Sequence, residues 1–244
     1  MIDAENHANR SSEKLDVIFL GDSITEGWLG TSFGVPIERK QGNKEVFQKL
    51  FEKSSKSEAK FNGFVLGMAG DKSPNLLWRM QNGEIPNILE AEVWWILIGT
   101  NDFLRDGLDN CSDEVVLMGV RRVVEEMKIL RPKSKIVLNG LLPRSSHDDG
   151  RLFELDGKRN VMNAIQDLNK RLKLLCDQHE NLEYFDASDL FIREKKKGGY
   201  QYIPERLMSD HLHPTELGYE RWGERIVEKL QNITEARPHL HTDI

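Results

Sequence analysis

Short apolar runs alternate with longer amphipathic segments along most of the chain. Five compact runs rich in Val, Ile, Leu or aromatic residues are typical of buried strands, at residues 17–20, 64–66, 93–98, 135–138 and 182–185. Between and after them, apolar positions recur at helical spacing, at residues 45–51, 75–81, 113–130, 158–178 and 216–230. This alternation predicts an α/β fold, with a parallel sheet covered by helices on both faces.

Two helix ends carry local signals. Val116, Val120, Val123 and Met127 lie on one helical face, and Pro132 follows the end of that segment. Thr215 stands directly before the last helix, where its hydroxyl can accept a hydrogen bond from a free backbone N–H. We therefore expect Thr215 to be the N-cap.

Polar residues cluster where three of the predicted strands end and just before the last helix. The clusters are Gly21-Asp22-Ser23, Gly67-Met68-Ala69-Gly70-Asp71, Gly99-Thr100-Asn101-Asp102 and Asp210-His211-Leu212-His213-Pro214. Ligands of open parallel sheets bind outside the carboxyl ends of the strands. The four clusters are therefore expected to converge at one edge of the sheet.

The residue types in these clusters match the requirements of acyl transfer. A serine hydroxyl becomes a good nucleophile when a neighbouring base takes its proton, which makes Ser23 the candidate nucleophile and His213 the candidate base. Asp210 can accept a hydrogen bond from the other imidazole nitrogen and fix its tautomer.

An oxyanion hole requires donors aimed at the developing negative oxygen. The backbone N–H groups of Ser23 and Gly70 and the side-chain amide of Asn101 are the candidates. Gly70 suits this role because the missing side chain lets a substrate approach the backbone.

The four clusters resemble those of the SGNH hydrolase superfamily, also called GDSL lipases and esterases, over about residues 15–230. Ser23, Gly70, Asn101 and His213 stand in the places of its four signature residues. The resemblance implies a flavodoxin-like, three-layer α/β/α fold with a five-stranded parallel sheet, and ester hydrolysis without a metal or organic cofactor.

Residues 70–84 and 94–102 are similar to the matching stretches in the catalytic subunits of intracellular platelet-activating-factor acetylhydrolase. This closer resemblance implies a small ester substrate with a short acyl or acetyl group on a lipid or sugar, and it makes a homodimer an expectation. The segment at residues 29–42 looks longer than in those proteins.

Composition narrows the remaining classes. The 244 residues are 39% hydrophobic and 30% charged, and the net charge of -6 gives no support to nucleic-acid binding. The sequence holds no apolar stretch of the roughly 20 residues that a membrane span needs, and its polar start lacks signal-peptide features. We expect a cytoplasmic protein with one domain over residues 1–244, and loose tails at about residues 1–13 and 236–244.

Several residues near the clusters have plainer interpretations. Asp22 and Asp102 are expected to hold loop amides, Arg79 to form a structural ion pair and Trp78 to lie in the core. His211 competes with His213 for the role of base, but the Asp-x-x-His spacing favours His213. A metal site formed by Asp22, Asp102, Asp210 and His213 has no motif behind it. Cys176 is expected to be a buried thiol, and Cys111 has no second thiol at metal-binding spacing.

The sequence therefore predicts a serine-dependent ester hydrolase. Two alternatives stay open: a non-catalytic binding or scaffold subunit of the same fold, and an acyltransferase that uses the same residues.

Overall fold

A five-stranded parallel sheet forms the centre of the molecule. The computed structural model describes residues 15–55, 57–103, 112–195 and 199–236. The strands are β1 (Leu15–Gly21), β2 (Gly63–Gly67), β3 (Ala91–Leu97), β4 (Lys135–Asn139) and β5 (Leu182–Phe185). Their order in the sheet is β2-β1-β3-β4-β5, which is the flavodoxin-like order.

Helices cover both faces of this sheet. They are α1 (Ser23–Glu26), α2 (Asn43–Phe51), α3 (Ser73–Arg79), α4 (Asp113–Leu130), α5 (Val161–Asp177), α6 (Ser188–Phe191) and α7 (Glu216–Glu235). Helix α2 packs against α7, while α4 packs against both α3 and α5. The three-layer α/β/α fold is confirmed, and each predicted strand and long helix is present within a few residues of its expected bounds.

An aromatic cluster joins β1 to the layer formed by α2 and α7. Phe19 of β1 lies 5.0 Å from Phe51 and 6.0 Å from Phe47, between ring centroids. Trp28 stacks on Trp222 of α7 at 5.2 Å. Burying one such side chain contributes about 2–3 kcal/mol relative to leaving it exposed. The cluster therefore fixes the segment after α1 against the last helix.

The N-cap prediction for α7 is confirmed, because the Thr215 hydroxyl accepts a hydrogen bond from the Gly218 N–H at 3.2 Å. The prediction for Trp78 is wrong, since 64% of this residue is exposed. Leu76 of α3 and Met80, directly after α3, lie one helical turn apart and face the core, and Trp78 lies between them on the opposite side.

Two short antiparallel hairpins had no counterpart in the sequence pattern. One pairs Thr31–Ser32 with Val35–Pro36, and the other pairs Arg193–Lys195 with Tyr200–Tyr202. Strands of two or three residues are too short to show an alternating pattern. The first hairpin, called the 31–36 hairpin below, lies within the segment at residues 29–42.

The tails expected at residues 1–13 and 236–244 lie outside the described residues, except for Ala236, which follows α7. Cys111 is also outside them. Cys176 is buried as expected, and burial raises the pKa of its thiol to about 12. Across the described ranges, none of the helices is long and apolar enough to cross a membrane.

Candidate active site

Ser23 lies at the carboxyl edge of the sheet, where the chain turns from β1 into α1. A side chain at Gly21 would meet the Leu97 carbonyl oxygen of β3 at 2.1 Å, so glycine lets the two strand ends pack closely. Asp22 then caps α1, because its Oδ1 accepts a hydrogen bond from the Ile24 N–H at 2.9 Å. This turn places Ser23 at the first position of α1.

His213 and Asp210 come from the loop before α7 and are held by one turn. Asp210 Oδ1 accepts hydrogen bonds from the backbone N–H groups of Leu212 at 3.1 Å and His213 at 2.7 Å. Asp210 Oδ2 lies 2.8 Å from His213 Nδ1. Burial acts to raise the pKa of Asp210, but hydrogen bonds from His213 and Arg39 outweigh it and hold the pKa well below its usual range. The ionised carboxylate is an acceptor only, so in the neutral imidazole it favours the tautomer with the proton on Nδ1, which leaves Nε2 as an acceptor.

The imidazole joins this loop to the serine. Ser23 Oγ lies 2.9 Å from His213 Nε2, although the two residues are 190 positions apart in the sequence. The Tyr219 hydroxyl of α7 donates to the Ile24 carbonyl oxygen of α1 at 2.7 Å, which braces the two elements against each other. The structure thus brings together the three residues that the sequence predicted as a catalytic set.

Gly70 lies on the loop after β2 and Asn101 on the loop after β3, the two strands that flank β1. Asp71 joins these two loops. Gly70 has a φ of 80°, in the left-handed region that glycine adopts without strain. Asn101 Nδ2 donates to the Asp71 carbonyl oxygen at 3.0 Å, which leaves its second N–H for another acceptor. Arg79 donates to the Asp71 carboxylate at 2.7 Å and to the Gly21 carbonyl oxygen at 3.0 Å. The expected ion pair of Arg79 is therefore confirmed, and it ties the Gly70 loop to the end of β1.

Asp22 and Asp102 hold loop amides, as expected from the sequence. Asp102 accepts from the Ser73 N–H at 2.9 Å and from the Ser73 hydroxyl. Burial raises the pKa of Asp102, and it raises the pKa of Asp22 to about 7, with a further contribution from the charges of Asp71 and Asp102. Both carboxyl groups fix the loops that surround Ser23.

His211 has a different environment from His213. Its φ is 55°, and its ring packs against Gly150, where a Cβ would lie 2.8 Å from the ring. The ring nitrogen facing the Ser23 hydroxyl belongs to His213. Within the part of the chain that the structure describes, no group of three or more His, Cys, Asp and Glu side chains could hold a metal ion.

The sequence pattern did not single out three charged residues beside this site. Arg39 donates a hydrogen bond to Asp210 Oδ2. Glu26 is fully buried and accepts from the 31–36 hairpin and from the Gly70 loop. Lys40, also buried, donates to the Thr31 carbonyl oxygen at 2.7 Å. The long segment at residues 29–42 was the available signal for two of them.

The model of the GDSL-like lipase/acylhydrolase family matches residues 19–221, most of the chain. The chain belongs to this family. Membership supports a general ester-hydrolase activity, and it confirms the resemblance stated from the sequence.

Curated relatives include the platelet-activating factor acetylhydrolase IB subunit alpha2 of Homo sapiens, 26% identical over 223 residues, which are 91% of this chain and 79% of that protein. The alpha1 subunit of Rattus norvegicus is 22% identical over 212 residues, or 87% of this chain and 73% of that protein. A crystal structure of a GDSL-like lipase from Bacteroides thetaiotaomicron superposes with a TM-score of 0.64 at 19% identity, covering 94% of this chain and 96% of that one. The last likeness supports the fold alone.

Proposed function

We propose that the chain is a serine esterase that hydrolyses short-acyl carboxylic esters through an acyl-enzyme on Ser23. The observation that carries this proposal is the hydrogen-bonded series from Ser23 Oγ through His213 to Asp210, with distances of 2.9 and 2.8 Å. Both distances lie within the reach that proton transfer requires.

The first half of the reaction acylates the serine. His213 Nε2 takes the Ser23 proton as Oγ attacks the ester carbonyl carbon, and Asp210 stabilises the imidazolium that forms. The backbone N–H groups of Ser23 and Gly70 and the free N–H of Asn101 donate to the oxyanion. His213 then returns its proton to the departing alkoxide, which releases the alcohol and leaves the acyl group on Ser23.

Water reverses these proton movements in the second half. His213 deprotonates a water molecule, whose oxygen attacks the acyl-enzyme carbonyl, and the same imidazole protonates Ser23 Oγ as the acid departs. No step of this proposed reaction needs a cofactor. The acetylhydrolase names of the relatives support acetate as the preferred acyl group.

Hydrolysis of p-nitrophenyl acetate by the purified full chain tests the proposal. Ser23→Ala is expected to lower kcat by at least about 10³-fold, because it removes the nucleophile. Ser57→Ala is the matched control, since the Ser57 hydroxyl lies in a surface turn after α2, where it accepts from the Ser54 N–H and donates to the Glu52 carbonyl oxygen. Undiminished turnover by Ser23→Ala would overturn the serine mechanism.

A fluorophosphonate probe separates the esterase from a non-catalytic scaffold. Wild type and Ser57→Ala are expected to be labelled on Ser23, and Ser23→Ala is expected to stay unlabelled. Absence of labelling in the wild type would favour the scaffold.

Product analysis in the presence of glycerol distinguishes hydrolysis from acyl transfer, since a transferase yields the glycerol ester instead of the free acid.

Two further properties belong to the same proposal. A comparison of p-nitrophenyl acetate, butyrate and octanoate is expected to give the highest kcat/KM for the acetate, and a preference for octanoate would contradict the short-acyl assignment. Sedimentation velocity is expected to give a homodimer, as the resemblance to the acetylhydrolase subunits implies, and a monomer would contradict that prediction.

A further inference from the structure

Phe33 combines two features that do not contribute to folding. The residue is 70% exposed, and its φ of 52° lies in the left-handed region, where a bulky residue is strained. An exposed ring gains little from burial, so the strain is not offset by packing. Strained residues that persist in a structure cluster at ligand clamps and active sites.

Phe33 lies close to the candidate oxyanion residue Gly70. It stands in the turn of the 31–36 hairpin, and its Cζ lies 4.0 Å from the point where a Cβ on Gly70 would be. Among the residues that the structure describes, leaving out those that flank Gly70, no other heavy atom comes as close to that point. The ring therefore borders the open side of the candidate oxyanion glycine.

The hairpin is anchored to the Gly70 loop by a buried charge. Glu26 Oε1 accepts from the Thr31 hydroxyl at 2.9 Å and from the Gly34 N–H at 2.8 Å, one residue on from Phe33. Glu26 Oε2 accepts from the N–H of Ala69, next to Gly70, at 2.8 Å. One carboxylate thus fixes the hairpin and the oxyanion loop relative to each other.

Burying a carboxylate costs free energy unless hydrogen bonds and opposite charge compensate for it. Here three donors and the nearby buried Lys40 supply that compensation. This buried connection joins two surface loops. It therefore indicates that the position of one loop relative to the other matters to the site.

We propose that Phe33 is a specificity-determining residue whose ring contacts the apolar part of the ester next to the scissile carbonyl, and that Glu26 is the residue that positions it. The proposal rests on the esterase activity proposed above. Relative to a site without it, the ring raises kcat/KM for longer apolar groups, because each added methylene that it covers leaves water. This contribution is separate from the overall preference for acetyl esters proposed above. The hairpin therefore adds a wall to the site that the four polar clusters do not supply.

The test compares kcat/KM for ethyl acetate, ethyl hexanoate and hexyl acetate. Hydrolysis is measured as the release of acid. Wild type against Ser23→Ala on ethyl acetate reports on the esterase itself. The ratio of kcat/KM for ethyl hexanoate or hexyl acetate to kcat/KM for ethyl acetate reports on Phe33. A lengthened acyl chain and a lengthened alcohol are separate arms, so the arm that responds identifies the part of the ester that the ring touches.

In Phe33→Ala and Phe33→Asn the ratio is expected to fall roughly tenfold in one arm. Asn tolerates the left-handed conformation, so it removes the ring while keeping the turn. Phe33→Tyr is expected to retain the wild-type ratio. Ile129→Ala, which removes an exposed apolar side chain near the end of α4, is the control and should leave both ratios unchanged.

Glu26→Gln is expected to lower the same ratio while Phe33 is intact, because the hairpin loses its fixed position. Ratios in both Phe33→Ala and Phe33→Asn that match the wild type in both arms, while Ser23-dependent turnover persists, would overturn the inference and leave the esterase proposal standing.

Discussion

Arg39 donates a hydrogen bond to Oδ2 of Asp210, the same oxygen that faces His213 Nδ1. A guanidinium and an imidazole therefore share one carboxylate oxygen at the rim of the site. The Arg39 side chain is 51% exposed, so solvent and salt screen its charge. We propose that Arg39 acts on the reaction through Asp210, as a positioning residue.

Arg39→Gln is expected to shift the acidic limb of the kcat/KM profile to higher pH, by about half a unit to one unit. Without the positive charge, the Asp210 carboxylate stabilises the imidazolium more strongly, and the imidazolium is the form that cannot accept the serine proton. The measurement is the pH dependence of p-nitrophenyl acetate hydrolysis. Arg39→Lys keeps the charge and should move the limb less, and the shift should shrink in 1 M salt. A limb that stays in place in Arg39→Gln would contradict the coupling.

Asp210→Asn is expected to lower kcat by about 10³- to 10⁴-fold, because an amide nitrogen facing His213 favours the wrong tautomer. Its remaining oxygen can still accept from the Leu212 and His213 N–H groups, so Tm should change little. Asp210→Ala should lose activity to a similar extent and also lower Tm, since both backbone donors lose their acceptor. A kcat for Asp210→Asn within tenfold of the wild type would refute this role.

Glu26→Gln is expected to lower the free energy of unfolding by about 1–3 kcal/mol. The amide has one acceptor oxygen, so either the hairpin donors or the Ala69 N–H loses its partner in a buried place. Urea unfolding measures the change. Glu228→Gln on the exposed face of α7 makes the same chemical substitution and should have little effect, and equal stabilities of the two variants would count against the buried connection.

Asp22 is expected to make stability fall as the pH rises from about 4 to about 7. Burial raises its pKa in the folded state from 3.8 to about 7, so in this window the folded protein holds a proton that the unfolded chain has released. The free energy of unfolding contributed by Asp22 then decreases by up to about 1.4 kcal/mol per pH unit and levels off above pH 7.

Asp22→Asn lacks this titration, so its stability relative to the wild type should improve between pH 5 and pH 7. Urea unfolding at pH 5, 6, 7 and 8 measures the difference. Asp177→Asn, which removes an exposed carboxylate at the end of α5, controls for the change in net charge. A difference between Asp22→Asn and wild type that is constant over this range would disprove the linkage.

The parallel sheet and the residues at its edge could be predicted from the sequence for a physical reason. Buried parallel strands are continuous apolar runs, and the polar residues that follow them lie at one edge, so Ser23, Gly70 and Asn101 could be placed at that edge from the sequence alone. Asp210 and His213 could be predicted because they are three positions apart within one turn, and this spacing sets their relative geometry.

Contacts between distant surface segments could not be predicted in this way. Arg39 and Asp210 are 171 positions apart, and neither hydrophobic periodicity nor turn signals specify their pairing. Trp78 was misplaced because α3 spans only about two turns, too few for the apolar pattern to define its buried side. The 31–36 hairpin, with two residues per strand, has no detectable period.

The hydrogen bond between Ser23 and His213 spans 190 positions, and it also has a consequence for synthesis on the ribosome. Ser23 leaves the exit tunnel with β1, whereas His213 emerges just ahead of α7. A nascent polypeptide can therefore display a folded sheet and still hydrolyse nothing. If the chain is the proposed esterase, we expect turnover only after α7 has docked through Tyr219 and Trp222, so that enzymatic activity would report that translation has passed α7.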